Sequence, residues 1–137
     1  MSGATGVSAR TPRVLIVDDS APARRLLIAA LCGLAVEIEE ANEGFTAFQI
    51  VLGAQIDLVI TDLNMEPVDG RQLVMAMQLL PQARRPRIIV CTSDWDASNQ
   101  KTRLALRAAD LVFGKPVPAE NLIAGVSNLL PGGVPRA

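Results

Sequence analysis

A chain of 137 residues, 50% hydrophobic and 20% charged, suffices for one domain with a sizeable core. Its 13 basic and 14 acidic side chains leave a net charge of −1, which argues against a nucleic-acid module. No apolar run is long enough to cross a membrane, and with no histidine the chain has neither an imidazole base nor a histidine metal ligand. The opening residues, Met1-Ser2-Gly3-Ala4-Thr5-Gly6, lack the apolar stretch of a signal peptide, so a cytoplasmic location is expected. Cys32 and Cys91 each have apolar neighbours, which reads as buried packing rather than a disulfide framework.

Residues 1–12 are mostly small and polar and read as a flexible tail. The folded domain is expected over 13–131, with a short C-terminal tail over 132–137. Arg13-Val14-Leu15-Ile16-Val17 has the β-branched content of a buried strand and ends on Asp18-Asp19. Ser20 then caps a helix with Pro22 in its first turn, Leu27 and Leu31 on its inner face and Gly33 at its end. Ala35-Val36-Glu37-Ile38-Glu39 alternates as a half-exposed strand does. Asn42 is the expected cap of the second helix, with Phe45, Phe48 and Leu52 as its core stripe and Gly53 at its end.

Leu58-Val59-Ile60 is a short buried strand that runs into Asp62. A third helix is expected from about Gly70 to Leu80, with Leu73, Met77 and Leu80 inward. Arg87-Ile88-Ile89-Val90-Cys91 is a fourth strand ending on Thr92-Ser93-Asp94. The following helix, about Ala97 to Ala109, is polar on one side and thinly apolar on the other, at Leu104 and Ala108. Leu111-Val112-Phe113 is a fifth strand ending on Gly114-Lys115-Pro116. A last helix starts near Pro118 and buries Leu122, Val126 and Leu129. Strict strand–helix alternation with short right-handed connections predicts an α/β fold, a doubly wound parallel sheet with helices on both faces.

In such a fold the C-terminal strand ends share one edge of the sheet, where ligands bind. Asp18, Asp19, Asp62, Thr92 and Lys115 all fall there. Each alone has an ordinary structural reading as a cap, a local hydrogen bond or a turn lysine, but their joint placement points to chemistry. Crowded carboxylates with no His or Cys nearby suit Mg²⁺, completed by water and a backbone carbonyl. A hard cation, a lysine and a hydroxyl around a carboxylate suit a transferring phosphoryl group. Asp62 is then a candidate metal ligand or nucleophile, and one of the carboxylates would form an acyl phosphate.

Four stretches carry a resemblance: Val17-Asp18-Asp19-Ser20, Asp62-Leu63-Asn64-Met65-Glu66-Pro67-Val68-Asp69-Gly70, Thr92-Ser93 and Lys115-Pro116. The chain resembles, over about residues 13 to 130, the CheY-like receiver domain of two-component response regulators. That resemblance implies a flavodoxin-like (βα)5 fold with strand order 2-1-3-4-5. It implies Asp62 as phosphoacceptor, and Mg²⁺ held by Asp18, Asp19, Asp62 and the backbone carbonyl of Asn64. Lys115 would pair with a phosphoryl oxygen, Thr92 would be the switch hydroxyl, and the Lys115–Pro116 bond would be cis. Asn64 and Asp94 would line the path of the hydrolytic water. The implied partners are a sensor histidine kinase or a histidine phosphotransfer protein, and a protein target on the face made by the fourth helix, fifth strand and fifth helix.

Two departures stand out. Pro67 comes one position later than is usual, after Glu66, and Val112 replaces the aromatic that commonly precedes the lysine by three. The loop carrying Trp95 is therefore expected to transmit the signal. The reading is of a stand-alone receiver, a switch, shuttle or sink rather than an enzyme. A haloacid-dehalogenase-type phosphatase would need an acid where Asn64 stands. A constitutive adaptor would not need the full set of acidic residues, Thr92 and Lys115. A nucleotide-binding flavodoxin-type role lacks a Gly-rich phosphate loop.

Overall fold

A computed structural model describes residues 10–93, 96 and 98–130. The expected Asp94, Trp95 and 132–137 features lie outside these residues, as do positions 1–9. Strands β1 (Arg13–Val17), β2 (Glu37–Ala41), β3 (Leu58–Thr61), β4 (Arg87–Thr92) and β5 (Leu111–Gly114) pair in parallel, in the order β2-β1-β3-β4-β5. Helices α1 (Ala21–Leu31), α2 (Gly44–Gly53), α3 (Gly70–Met77), α4 (Gln100–Ala108) and α5 (Ala119–Leu129) alternate with them. The expected strand order is the one observed.

The sheet is buried on both faces, so alternate strand residues feed two separate cores. Leu15, Val17, Val59 and Val90 pack with Ala47 and Val51 of α2, Leu73 and Met77 of α3 and Ala105 of α4. Val14, Ile16, Ile60, Ile89 and Cys91 pack with Leu31 of α1 and Leu122 and Val126 of α5. Val14, Leu15, Ile16 and Val17 are all fully buried, each such side chain contributing about 1.5–3 kcal/mol.

Helix starts follow the local chemistry. The Ser20 hydroxyl accepts from the Ala23 N–H and caps α1. Asp69 and Gln72 form a reciprocal capping box at α3. The α2 cap is Glu43 rather than Asn42, its carboxylate accepting from the Phe45 and Thr46 N–H groups, which lowers its pKa. The buried stripe of α2 is Gly44, Ala47 and Val51, one residue earlier than expected, so Phe45 and Leu52 face solvent and Phe48 is only partly covered. Strand β2 also lies two residues later than expected, because the Glu37 N–H donates to the Pro12 carbonyl and Arg13 pairs in register with Glu37. Arg10 adds a two-pronged ion pair to Asp57. Helix α4 starts at Gln100, capped by Asn99, and buries Thr102 and Ala105 rather than Leu104. The Glu66–Pro67 and Lys115–Pro116 bonds are cis.

Cys32, expected to be buried, is exposed after α1, whereas Cys91 is buried in β4. Burial pushes the Cys91 thiol up to about 12. Under native conditions near pH 8, a thiol-titrating reagent should therefore modify Cys32 rapidly and Cys91 only after denaturation. Equal native reactivity of the two would contradict the packing of β4 against α1 and α5.

Candidate functional site

Strand register builds the site. Val17 of β1 lies beside Thr61 of β3, so the next residues, Asp18 and Asp62, emerge side by side at the same edge. The Asp62 N–H donates to the Val17 carbonyl at 3.1 Å and extends this pairing past the strand ends. On the other side Thr92 of β4 pairs with Gly114 of β5, and the Lys115 N–H donates to the Thr92 carbonyl at 3.1 Å. Lys115 is thus launched over the same edge.

Its ammonium bridges the two carboxylates. Lys115 Nζ donates to Asp18 Oδ2 at 2.6 Å and to Asp62 Oδ2 at 2.7 Å. Asp18 is 2% exposed and Asp62 9%, so neither carboxylate is left to water for its compensation. Asp18 Oδ1 accepts from the Ser20 N–H at 2.9 Å, and Asp62 Oδ1 accepts from the Leu63 and Asn64 N–H groups at 2.6 and 3.3 Å. Burial works against the Lys115 charge, yet the hydrogen bonds and charges of Asp18 and Asp62 outweigh it, and its pKa is raised.

The remaining expected residues are placed unevenly. Asp19 is adjacent in the chain but exposed. Thr92 is fully buried at the end of β4, and Asn64 is exposed in the loop after β3. Asp94 lies outside the described residues. Val112 packs on the α2–α4 side of the sheet and Phe113 on the α1–α5 side, where it lies under Gly125, so Phe113 does not occupy the place of the missing aromatic.

Among the described residues, no three or more His, Cys, Asp or Glu side chains gather into a metal-holding group. The donors at the edge are nonetheless all oxygen: two buried carboxylates with the exposed Asp19 next to them. That chemistry fits Mg²⁺, which keeps several waters and needs only one or two carboxylates from the protein.

Two residues without an expected role at the site support it, Gly70, which closes the stretch from Asp62, and Arg71. Gly70, the first residue of α3, presses on the Asp62 backbone: a methyl group there would meet the Asp62 carbonyl oxygen at 1.8 Å. Its spacing from Asp62 is the only signal in the sequence. Arg71, next in the chain, donates from Nη1 to the Leu63 carbonyl at 3.2 Å and to Asn64 Oδ1 at 3.3 Å. Nothing in the sequence distinguishes it from a solvated arginine.

A family model for the response regulator receiver domain matches residues 14–127. The chain is 32% identical over 115 residues to a "Probable chemotaxis protein CheY" of Rhizobium etli, covering 83% of this chain and 88% of that one. It is also 32% identical over 119 residues to the sensor histidine kinase GacS of Pseudomonas protegens, where the match covers 85% of this chain but 13% of the kinase. Among solved structures, the chemotaxis response regulator CheY4 of Vibrio cholerae superposes with a TM-score of 0.76 at 26% identity, over 88% of this chain and 100% of that one. The receiver domain of a signal transduction histidine kinase from Syntrophus aciditrophicus gives 0.78 at 27% identity, over 89% and 92% of the two chains.

Two measurements check this geometry. Lys115→Met should destabilise the fold by about 2 kcal/mol, because both carboxylates lose a charged hydrogen-bond donor. A raised folded pKa contributes stability while lysine is protonated in both states. The gap between wild type and variant should therefore be level from about pH 7 to the unfolded lysine pKa of about 10.4, then narrow as pH rises through the folded value. Urea titrations across that range read it directly. Gly70→Ala should cost about 3 kcal/mol, since the atom it meets is backbone and cannot step aside; a urea midpoint equal to that of wild type would refute the close approach.

Proposed function

The chain belongs to the response regulator receiver domains, and we propose that it is a phosphoryl-accepting switch with Asp62 as the acceptor. The observation that carries this reading is the Lys115 ammonium held between Asp18 and Asp62 at the C-terminal edge of the sheet. A carboxylate there can attack phosphorus with a cation already beside it, so part of the charge compensation needs no rearrangement.

In the proposed reaction, an Asp62 carboxylate oxygen forms a bond to the phosphorus of a phosphohistidine donor. The phosphorus–nitrogen bond breaks, and its electron pair returns to the donor imidazole. These 137 residues contain no histidine, so the donor imidazole lies outside them, on a sensor histidine kinase or a histidine phosphotransfer protein. Lys115 neutralises one phosphoryl oxygen and the Thr92 hydroxyl donates to another. Asp18, Asp19, Asp62 and the Asn64 carbonyl would hold Mg²⁺, which when bound supplies further compensation of phosphoryl charge. The exposed Asn64 and, beyond the described residues, Asp94 are proposed to govern access of hydrolytic water to the acyl phosphate. A downstream protein would read the altered surface of α4, β5 and α5. The protein promotes only the gain and loss of its own phosphoryl group, and it would act in the cytoplasm.

Incubation with acetyl phosphate and Mg²⁺, followed by intact-mass measurement, should give one phosphoryl adduct on wild type and none on Asp62→Ala. Omitting Mg²⁺ or replacing Asp19 by Asn should reduce the yield sharply. An adduct of equal yield on Asp62→Ala would remove Asp62 from the role.

A further inference from the structure

Arg71 makes a polar connection between the loop after Asp62 and α4. It sits in the first turn of α3, and its side chain is 11% exposed. On one side its Nη1 donates to the Leu63 carbonyl and to Asn64 Oδ1, in the loop that follows Asp62. On the other its Nε donates to Thr102 Oγ1 at 2.6 Å, and Thr102 is fully buried in α4. A fourth contact, at 3.5 Å to Asp69 Oδ2, holds the guanidinium to the cap of its own helix.

The peptide unit between Leu63 and Asn64 completes the connection. Its N–H, from Asn64, donates to Asp62 Oδ1, and its carbonyl, from Leu63, accepts from Arg71. Three flat groups therefore run in series from the acceptor carboxylate to α4: the Asp62 carboxylate, this peptide unit and the guanidinium. None can bend internally, so tilting one turns the next. Forming the acyl phosphate at Asp62 removes the carboxylate's own charge, and the two N–H bonds to its oxygen lose their charge assistance. The peptide unit is then released on one side, while on the other its carbonyl is still held by Arg71 and by the Gly70 N–H at 2.9 Å, so its movement is a rotation about that anchored carbonyl.

We propose that Arg71 is the positioning residue that couples the phosphoryl state of Asp62 to α4, through the Leu63–Asn64 peptide on one side and Thr102 on the other. This rests on the reading of Asp62 as the phosphoryl acceptor. It gives the chain a route to α4 that does not pass through position 112, where valine replaces the aromatic.

The test compares wild type, Arg71→Ala, Arg71→Lys and Thr102→Val, each with and without acetyl phosphate and Mg²⁺. Intact mass gives the extent of phosphorylation, and amide hydrogen exchange over Gln100–Ala108 gives the response of α4. Wild type should take one phosphoryl group and change its α4 exchange by about twofold to thirtyfold. Thr102→Val should take the group to the same extent yet lose most of that change, and Arg71→Ala, compared per phosphorylated molecule, should lose it as well. Arg71→Lys should also lose it, because an ammonium keeps the charge but not the two-sided planar fork. A full α4 response in all three phosphorylated variants would overturn the proposal, as would a phosphorylated wild type with unchanged α4 exchange. A wild type that takes no phosphoryl group would overturn the acceptor reading first and the coupling with it. Thr102→Val is nearly isosteric, so its result stands if Arg71→Ala does not fold.

Discussion

Two buried carboxylates side by side at a sheet edge are untenable without a cation, and Lys115 supplies it. Strand register forces Asp18 and Asp62 together, because β1 and β3 are neighbours and end level with one another. The lysine that compensates them arrives from β5, at the far side of the sheet from β1 with β3 and β4 between. The ion triad is thus a tie across the open edge of the sheet as well as a chemical site. Stability and reactivity draw on the same charges: any group that takes the lysine's attention also loosens a clamp between strands.

The parts of this arrangement legible from sequence are those fixed by one strand and the residue that follows it. β1, β3, β4 and β5 are runs of β-branched or apolar residues, and Asp18, Asp62 and Lys115, which follow β1, β3 and β5, meet at one edge. Helix faces were harder. α2 is apolar almost all round, so Phe45-Phe48-Leu52 and Gly44-Ala47-Val51 have the same spacing. The smaller set faces inward because the helix starts tight against the next loop: the Gly44 N–H donates to the Val68 carbonyl at 2.8 Å, and a methyl at Gly44 would meet that oxygen at 2.6 Å. A pattern of hydrophobicity contains no information about such an approach distance.

The same limit applies to polar burial. Thr102 is an inner residue of α4 although a hydroxyl buried alone is costly, because Arg71, 31 positions earlier, gives it a partner. β2 departs from its expected span for a complementary reason. Its run Glu37-Ile38-Glu39-Glu40-Ala41 is acidic, yet an edge strand tolerates charge, and Arg13 and Arg24 pair with Glu37 and Glu40. In both places a partner distant in sequence decides the outcome, and local propensity does not record it.

The sheet is also a partition. Its two cores contain different strand residues and share only the backbone between them, with Val112 on one side and Phe113 on the other. A substitution that alters volume beneath α2, α3 and α4 is absorbed within that layer, and its cost should add to that of a substitution beneath α1 and α5. The two outer surfaces of the molecule therefore rest on separately packed layers.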